Sequence, residues 1–177
     1  MLLRGSNAVG YANYPDNVVR EFVVHSSEAG MDIFRIFDSL NYLPNLKVAM
    51  EAVSERTNSL CEAALCFTGD FTDSSEEKYV LKYYVELAKE LEKMGAHILA
   101  IKDMAGIGRP SSLGKIVRGI KKYKPDIIIQ YHGHSGPGFS VASSLEVARA
   151  GADIIDVAME PLSWGTTHAD LLTIHEV

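Results

Sequence analysis

The chain has 177 residues, 47% of them apolar and 23% charged, enough for one domain with a buried core and too few for two of ordinary size. A formal charge of −6 gives no electrostatic reason to expect nucleic acid or an anionic membrane surface as a partner. No apolar run approaches the roughly 20 residues of a membrane span, and "MLLRGSNAVG" lacks the apolar core of a signal peptide, so a cytoplasmic protein is expected.

In chain order, "MLLRG" (1–5) reads as a strand and "PDNVVREFVVHSSEAG" (15–30) as a helix started by Pro15 and Asp16. A strand is expected in "AGMDIFRIFDS" (29–39), a helix in "LPNLKVAMEAVSE" (43–55) and a strand in "CEAALCFTG" (61–69). The strongest amphipathic pattern predicts a helix over 75–95, followed by a strand in "MGAHILAIKDM" (94–104). "PSSLGKIVRGIKKYKP" (110–125) reads as a helix, "DIIIQYHGH" (126–134) as a strand, "SVASSLEVARAG" (140–151) as a helix and "AGADIIDVAME" (150–160) as a last strand. The stretches at 29–39, 94–104 and 150–160 resemble one another: a helix stopped at Gly30, Gly95 or Gly151, an apolar strand, then a charged residue.

Six strands alternating with helices imply a parallel sheet with crossover helices. Polar residues end the strands at Arg4, Asp38, Thr68, Lys102, His132 and Asp156, at intervals of 24 to 34 residues. About 30 residues is one βα unit, and polar groups at strand C-termini are where a (β/α)8 barrel keeps its active site. Six units fall short of eight. The sheet is therefore either an open doubly wound one or an incomplete six-unit portion of a TIM barrel, and a strand beginning at Met1 favours the second.

On an extended strand, His132 and His134 share a face and can converge on one divalent ion. The bland alternative is one core and one surface histidine. Lys102 closes the apolar run "HILAI". A buried ammonium there should titrate low, and three fates stay open: a Schiff base, a carbamate that ligates metal, or a salt bridge to Asp103 or Asp38. Arg4 offers a bidentate fork for a carboxylate and Tyr11 a hydroxyl donor, against the plainer readings of a strand-end arginine and a partly buried loop aromatic. Cys61 and Cys66 read as buried free thiols.

"MLLRGSNAVGYANYPDN", "DIFRIFDSLNYLPNL", "EAALCFTGD", "HILAIKDMAG" and "AGADIIDVA" resemble the carboxyltransferase barrel of the biotin-dependent pyruvate carboxylase, oxaloacetate decarboxylase and transcarboxylase family over essentially the whole chain. The resemblance implies a partial carboxyltransferase domain over 1–177 matching strands three to eight of a TIM barrel, with one family metal ligand and two keto-acid contacts on an earlier strand and a catalytic threonine past Val177. It implies a metal held by carbamylated Lys102, His132 and His134, with zinc or manganese suiting those ligands. Arg4 and Tyr11 would lie near the keto acid and the incoming biotin, Asp38 and Asn41 at the barrel mouth unless they cap the next helix, and Cys66 close by. The implied reaction is carboxyl transfer between carboxybiotin and a 2-keto acid, pyruvate or oxaloacetate, in a homo-oligomer. No biotinylation signature is present, so biotin would arrive on a separate carrier domain charged by a biotin carboxylase.

Two departures stand out. "HGHSGPG" puts Ser135 where the family carries an acidic residue, and "MEPLSWGTTHADL" (159–171) places His168 either at the mouth or at a helix start. An acyl-CoA lyase or synthase on a related metal-dependent barrel, or an inactive fragment, remain the rival readings.

Overall fold

The computed structural model describes residues 1–177. Its strands are β1 (Leu2–Leu3), β2 (Ile33–Ile36), β3 (Leu60–Cys66), β4 (Ile98–Asp103), β5 (Ile128–Gly133) and β6 (Ile154–Ile155). The helices are α1 (Asp16–Glu28), α2 (Leu43–Arg56), α3 (Leu81–Lys93), α4 (Pro110–Tyr123), α5 (Ser140–Arg149) and α6 (Leu171–Glu176). The strands form one sheet in the order β1-β2-β3-β4-β5-β6. A doubly wound sheet would reverse its order at a switch point. Strictly sequential order is that of a (β/α)8 barrel, of which six consecutive units are present.

The expected helix stops hold: α1, α3 and α5 are followed by Gly30, Gly95 and Gly151, all with φ near +100°. The start of α3 does not. The pattern predicts a helix from residue 75, but α3 begins at Leu81. Side chains capture the amides that a helix would use: Asp70 accepts from Thr72 N, Asp73 from Ser75 N, and Glu76 from the amides of Lys78 and Tyr79. The sequence allows helix α6 only as one alternative, starting at His168; it starts at Leu171. Asp170 caps it by accepting from the amides of Leu172 and Thr173 at 3.0 and 3.3 Å.

The residues cluster into two compact units. In residues 1–66 and 89–100, α1 lies against α2 and α2 against β3. Val19, Val23, Leu46, Met50 and Val53 from the helices are buried, as are Phe34, Ile36 and Leu65 from the strands. Each such side chain contributes about 1.5–3 kcal/mol by leaving water. Buried Glu62 is paired beside them: half-buried Arg35 donates from Nε to Glu62 Oε1 at 2.6 Å, directly across the β2–β3 register. Cys61 and Cys66 are buried free thiols, as read from the sequence.

In residues 67–88 and 101–177, α4 packs on α5 and α5 on β5. Leu113, Ile116, Val117 and Ile120 meet a core that also holds Val147, Ile129, Tyr131 and Tyr84. All six β4 residues are buried, the pattern of a parallel strand covered on both faces. No helix of the chain is long and apolar enough to cross a membrane.

Candidate metal centre

Strand β5 alternates its side chains as the sequence requires. Tyr131 is buried on one face, and His132 and His134 emerge on the other with their Nε2 atoms 3.2 Å apart. The intervening Gly133 is required by close approach: a Cβ there would lie 2.2 Å from the Tyr131 hydroxyl. Gly106, at φ +67°, does the same for His134, because a Cβ on it would lie 2.3 Å from the His134 carbonyl oxygen.

A third ring joins them. His168 lies with its centroid 4.4 Å from that of His132 and 4.8 Å from that of His134, and one ligand atom from each of the three falls within 4.8 Å of the others. His168 does not start a helix, since α6 begins at Leu171 under the Asp170 cap. It sits in the loop that the sequence left open, on the mouth side of that alternative.

The Nδ1 atoms set the tautomers. His132 Nδ1 contacts Asp156 Oδ2 at 2.6 Å, His134 Nδ1 contacts the Thr166 carbonyl at 2.6 Å, and His168 Nδ1 contacts the Gly133 carbonyl at 2.8 Å. Those oxygens only accept, so each Nδ1 carries the hydrogen and each neutral ring keeps its lone pair on Nε2. Burial depresses the His132 pKa to about 4 against the pull of the Asp156 hydrogen bond, with the Lys102 charge adding to the depression. With both rings in that tautomer, a cation between the two Nε2 atoms, 3.2 Å apart, would engage both lone pairs. That separation is also the one two imidazoles keep on a single divalent ion bound at ~2.0–2.1 Å with an angle of ~100°. The donor set therefore fits a transition metal.

Asp156 was seen in the sequence only as a polar strand end. It orients His132 and is itself held by the Gln130 amide. Lys102 is buried on β4 at 5% exposure, as expected. Its neighbour Asp103 points into the following turn, where it accepts from Ile107 N at 3.1 Å and Gly108 N at 2.7 Å. Burial raises the Asp103 pKa and those amides oppose the rise. Ser135 turns away from the rings to a hydroxyl contact with Ser140 at 3.0 Å.

Arg4 and Tyr11 belong to the other unit, where the Arg4 guanidinium carbon lies 4.9 Å from the Tyr11 ring centroid. Tyr11 is 90% exposed, which corrects the partly buried reading. Asp38 holds the turn before α2, accepting from the amides of Leu40 and Tyr42 and from the Asn45 side chain. Asn41 does not cap: at φ 55° its side-chain amide pairs with both backbone groups of Cys66, at 2.9 and 2.7 Å, like one more rung of sheet.

With two imidazoles and a buried lysine at the C-terminal ends of barrel-ordered strands, and a third imidazole from the loop after β6, comparison with known proteins becomes informative. Residues 17–169 match the HMGL-like family model. The chain belongs to the HMGL-like family. It is 50% identical over 170 residues to pyruvate carboxylase 1 of Caenorhabditis elegans, covering 96% of this chain and 14% of that protein. It is 48% identical over 171 residues to the mitochondrial pyruvate carboxylase of Homo sapiens, covering 97% and 14%. Among solved structures, the carboxyl transferase domain of Rhizobium etli pyruvate carboxylase with pyruvate and biocytin superposes with a TM-score of 0.95 at 47% identity, covering 99% of this chain and 29% of that one. This HMGL-like chain thus spans about one seventh of the length of those curated relatives.

Proposed function

We propose that the chain contributes the metal-centred half of a carboxyltransferase site that moves a carboxyl group between carboxybiotin and a 2-keto acid, pyruvate or oxaloacetate. The observation that carries this reading is the pair of Nε2 atoms of His132 and His134, 3.2 Å apart on rings whose Nδ1–H groups are already engaged. His132, His134 and carbamylated Lys102 would hold the ion. When bound, a divalent ion there supplies Lewis acidity toward the keto oxygen and so favours loss of a methyl proton.

The chain's own residues do the rest of this reading. Asp156 keeps His132 in the one tautomer that leaves Nε2 free. Arg4 offers a guanidinium to the keto-acid carboxylate, and Tyr11 presents its hydroxyl to biotin. Biotin arrives on a separate carrier domain, charged by a biotin carboxylase, within a cytoplasmic homo-oligomer. The solved relative bound to pyruvate and biocytin supports this pairing of substrates.

The test compares metal content and biotin-stimulated oxaloacetate decarboxylation in the 177-residue chain and in a version extended at both ends. We expect about one transition-metal ion per extended chain, with activity lost on chelation and in His132→Ala or His134→Ala. An extended protein that decarboxylates fully with both histidines replaced would reject the reading.

A further inference from the structure

We propose that His168 is a third imidazole ligand of the ion held by His132 and His134. The inference rests on the metal reading above and goes beyond it, because His168 comes from a loop more than 30 residues along the chain.

The first argument is delivery. The His168 ring is keyed to the segment that carries the other two, since its Nδ1–H donates to the carbonyl of Gly133, the residue between them. The loop is stitched to that segment. Ser135 N donates to Thr167 O at 2.7 Å, Gly136 N to Gly165 O at 2.8 Å, and His134 Nδ1 to Thr166 O. Within the loop, Trp164 N donates to His168 O and Thr167 N to Trp164 O, at 2.8 and 2.9 Å. His168 is therefore held by backbone on both sides and moves with His132 and His134. Such support is what a pre-organised ligand needs.

The second argument is electrostatic. A histidine serving only as a loop tie needs its Nδ1–H and nothing more. Here the third neutral ring packs against two others whose lone pairs already face each other, and all three offer a ligand atom within 4.8 Å. Without a cation, that arrangement concentrates partial negative charge. Ligand atoms on one tetrahedral ion at ~2.0–2.1 Å lie about 3.4 Å apart, so the widest pair must close by up to about 1.4 Å when the ion binds. The consequence is metal choice. Three neutral imidazoles favour zinc or cobalt over manganese, which prefers carboxylate and water oxygens.

The experiment loads the 177-residue chain with one equivalent of Zn²⁺ and counts imidazole ligands by X-ray absorption. Three are expected; two would overturn the proposal. In His168→Gln and His168→Ala, with folding checked by circular dichroism, the count should fall by one. Zn²⁺ affinity against a chromophoric chelator should fall about ten-fold or more, and the preference for Zn²⁺ over Mn²⁺ should narrow. Tight Zn²⁺ binding with two imidazoles and unchanged affinity in His168→Gln sinks His168 alone. Failure of both the unaltered chain and the version extended at both ends to hold Zn²⁺ sinks the metal reading and this inference together.

Discussion

Asp156 Oδ2 accepts a 2.6 Å hydrogen bond from His132 Nδ1, and this single contact determines which nitrogen of His132 faces its neighbours. Removing the carboxylate frees the ring to flip tautomer. Asp156→Ala should weaken Zn²⁺ binding about 10- to 100-fold, whereas Asp156→Asn, which can still accept through its carbonyl, should lose less. Chelator competition checks the order; equal affinity in all three proteins would mean that Asp156 does not orient the ligand.

Gly106→Ala should destabilise the fold by about 2 kcal/mol or more. A Cβ 2.3 Å from the His134 carbonyl oxygen cannot be accommodated without moving the backbone, and φ +67° strains any L side chain. Because the displaced backbone is that of His134, metal affinity should fall with stability. Urea unfolding and Zn²⁺ titration on the same variant measure both.

Metal-free protein should lose stability in acid through His132. Its folded pKa, about 4, lies below the 6.5 of a free imidazole, so between those values the unfolded chain binds the extra proton. The contribution is whole above ~6.5 and is lost as pH falls toward 4, worth ~2–3 kcal/mol across that window. Urea midpoints at pH 7 and 4.5 should show a smaller drop in His132→Gln. An equal drop would place the acid sensitivity elsewhere.

Cys61 and Cys66 should be silent toward thiol reagents in the native state and react fully in guanidinium. Burial, aided by the Glu62 charge, pushes the Cys61 thiol up to about 12, leaving almost no thiolate at pH 8. Rapid native labelling of either cysteine would contradict the packing of β3.

Lys102 should bear a carbamate when the metal is bound. Protein equilibrated with ¹³C-bicarbonate and Zn²⁺ should show a carbamate carbon resonance that is absent in Lys102→Arg, since a guanidinium does not form one. Zn²⁺-loaded protein with no such signal would favour the acyl-CoA lyase or synthase reading over carboxyl transfer.

Much of this was legible in the residues. The βα alternation followed from apolar runs punctuated by Gly30, Gly95 and Gly151, and the shared face of His132 and His134 followed from the two-residue period of a strand. The start of α3 was misread because periodicity does not register Asp70, Asp73 and Glu76 taking the local amides for themselves. The Arg35–Glu62 pair was invisible for a different reason: it depends on the β2–β3 register, which no local pattern specifies.

The sequence by itself determined the order of elements, the buried lysine and the two adjacent imidazoles, because each rests on the geometry of neighbouring residues along one strand. Tertiary structure alone decided that Asp156, Thr166 and Gly133 claim the three Nδ1–H groups and that His168 completes the cluster. Those partners stand 24 to 35 residues apart, a distance at which contact depends on where loops return rather than on any local periodicity.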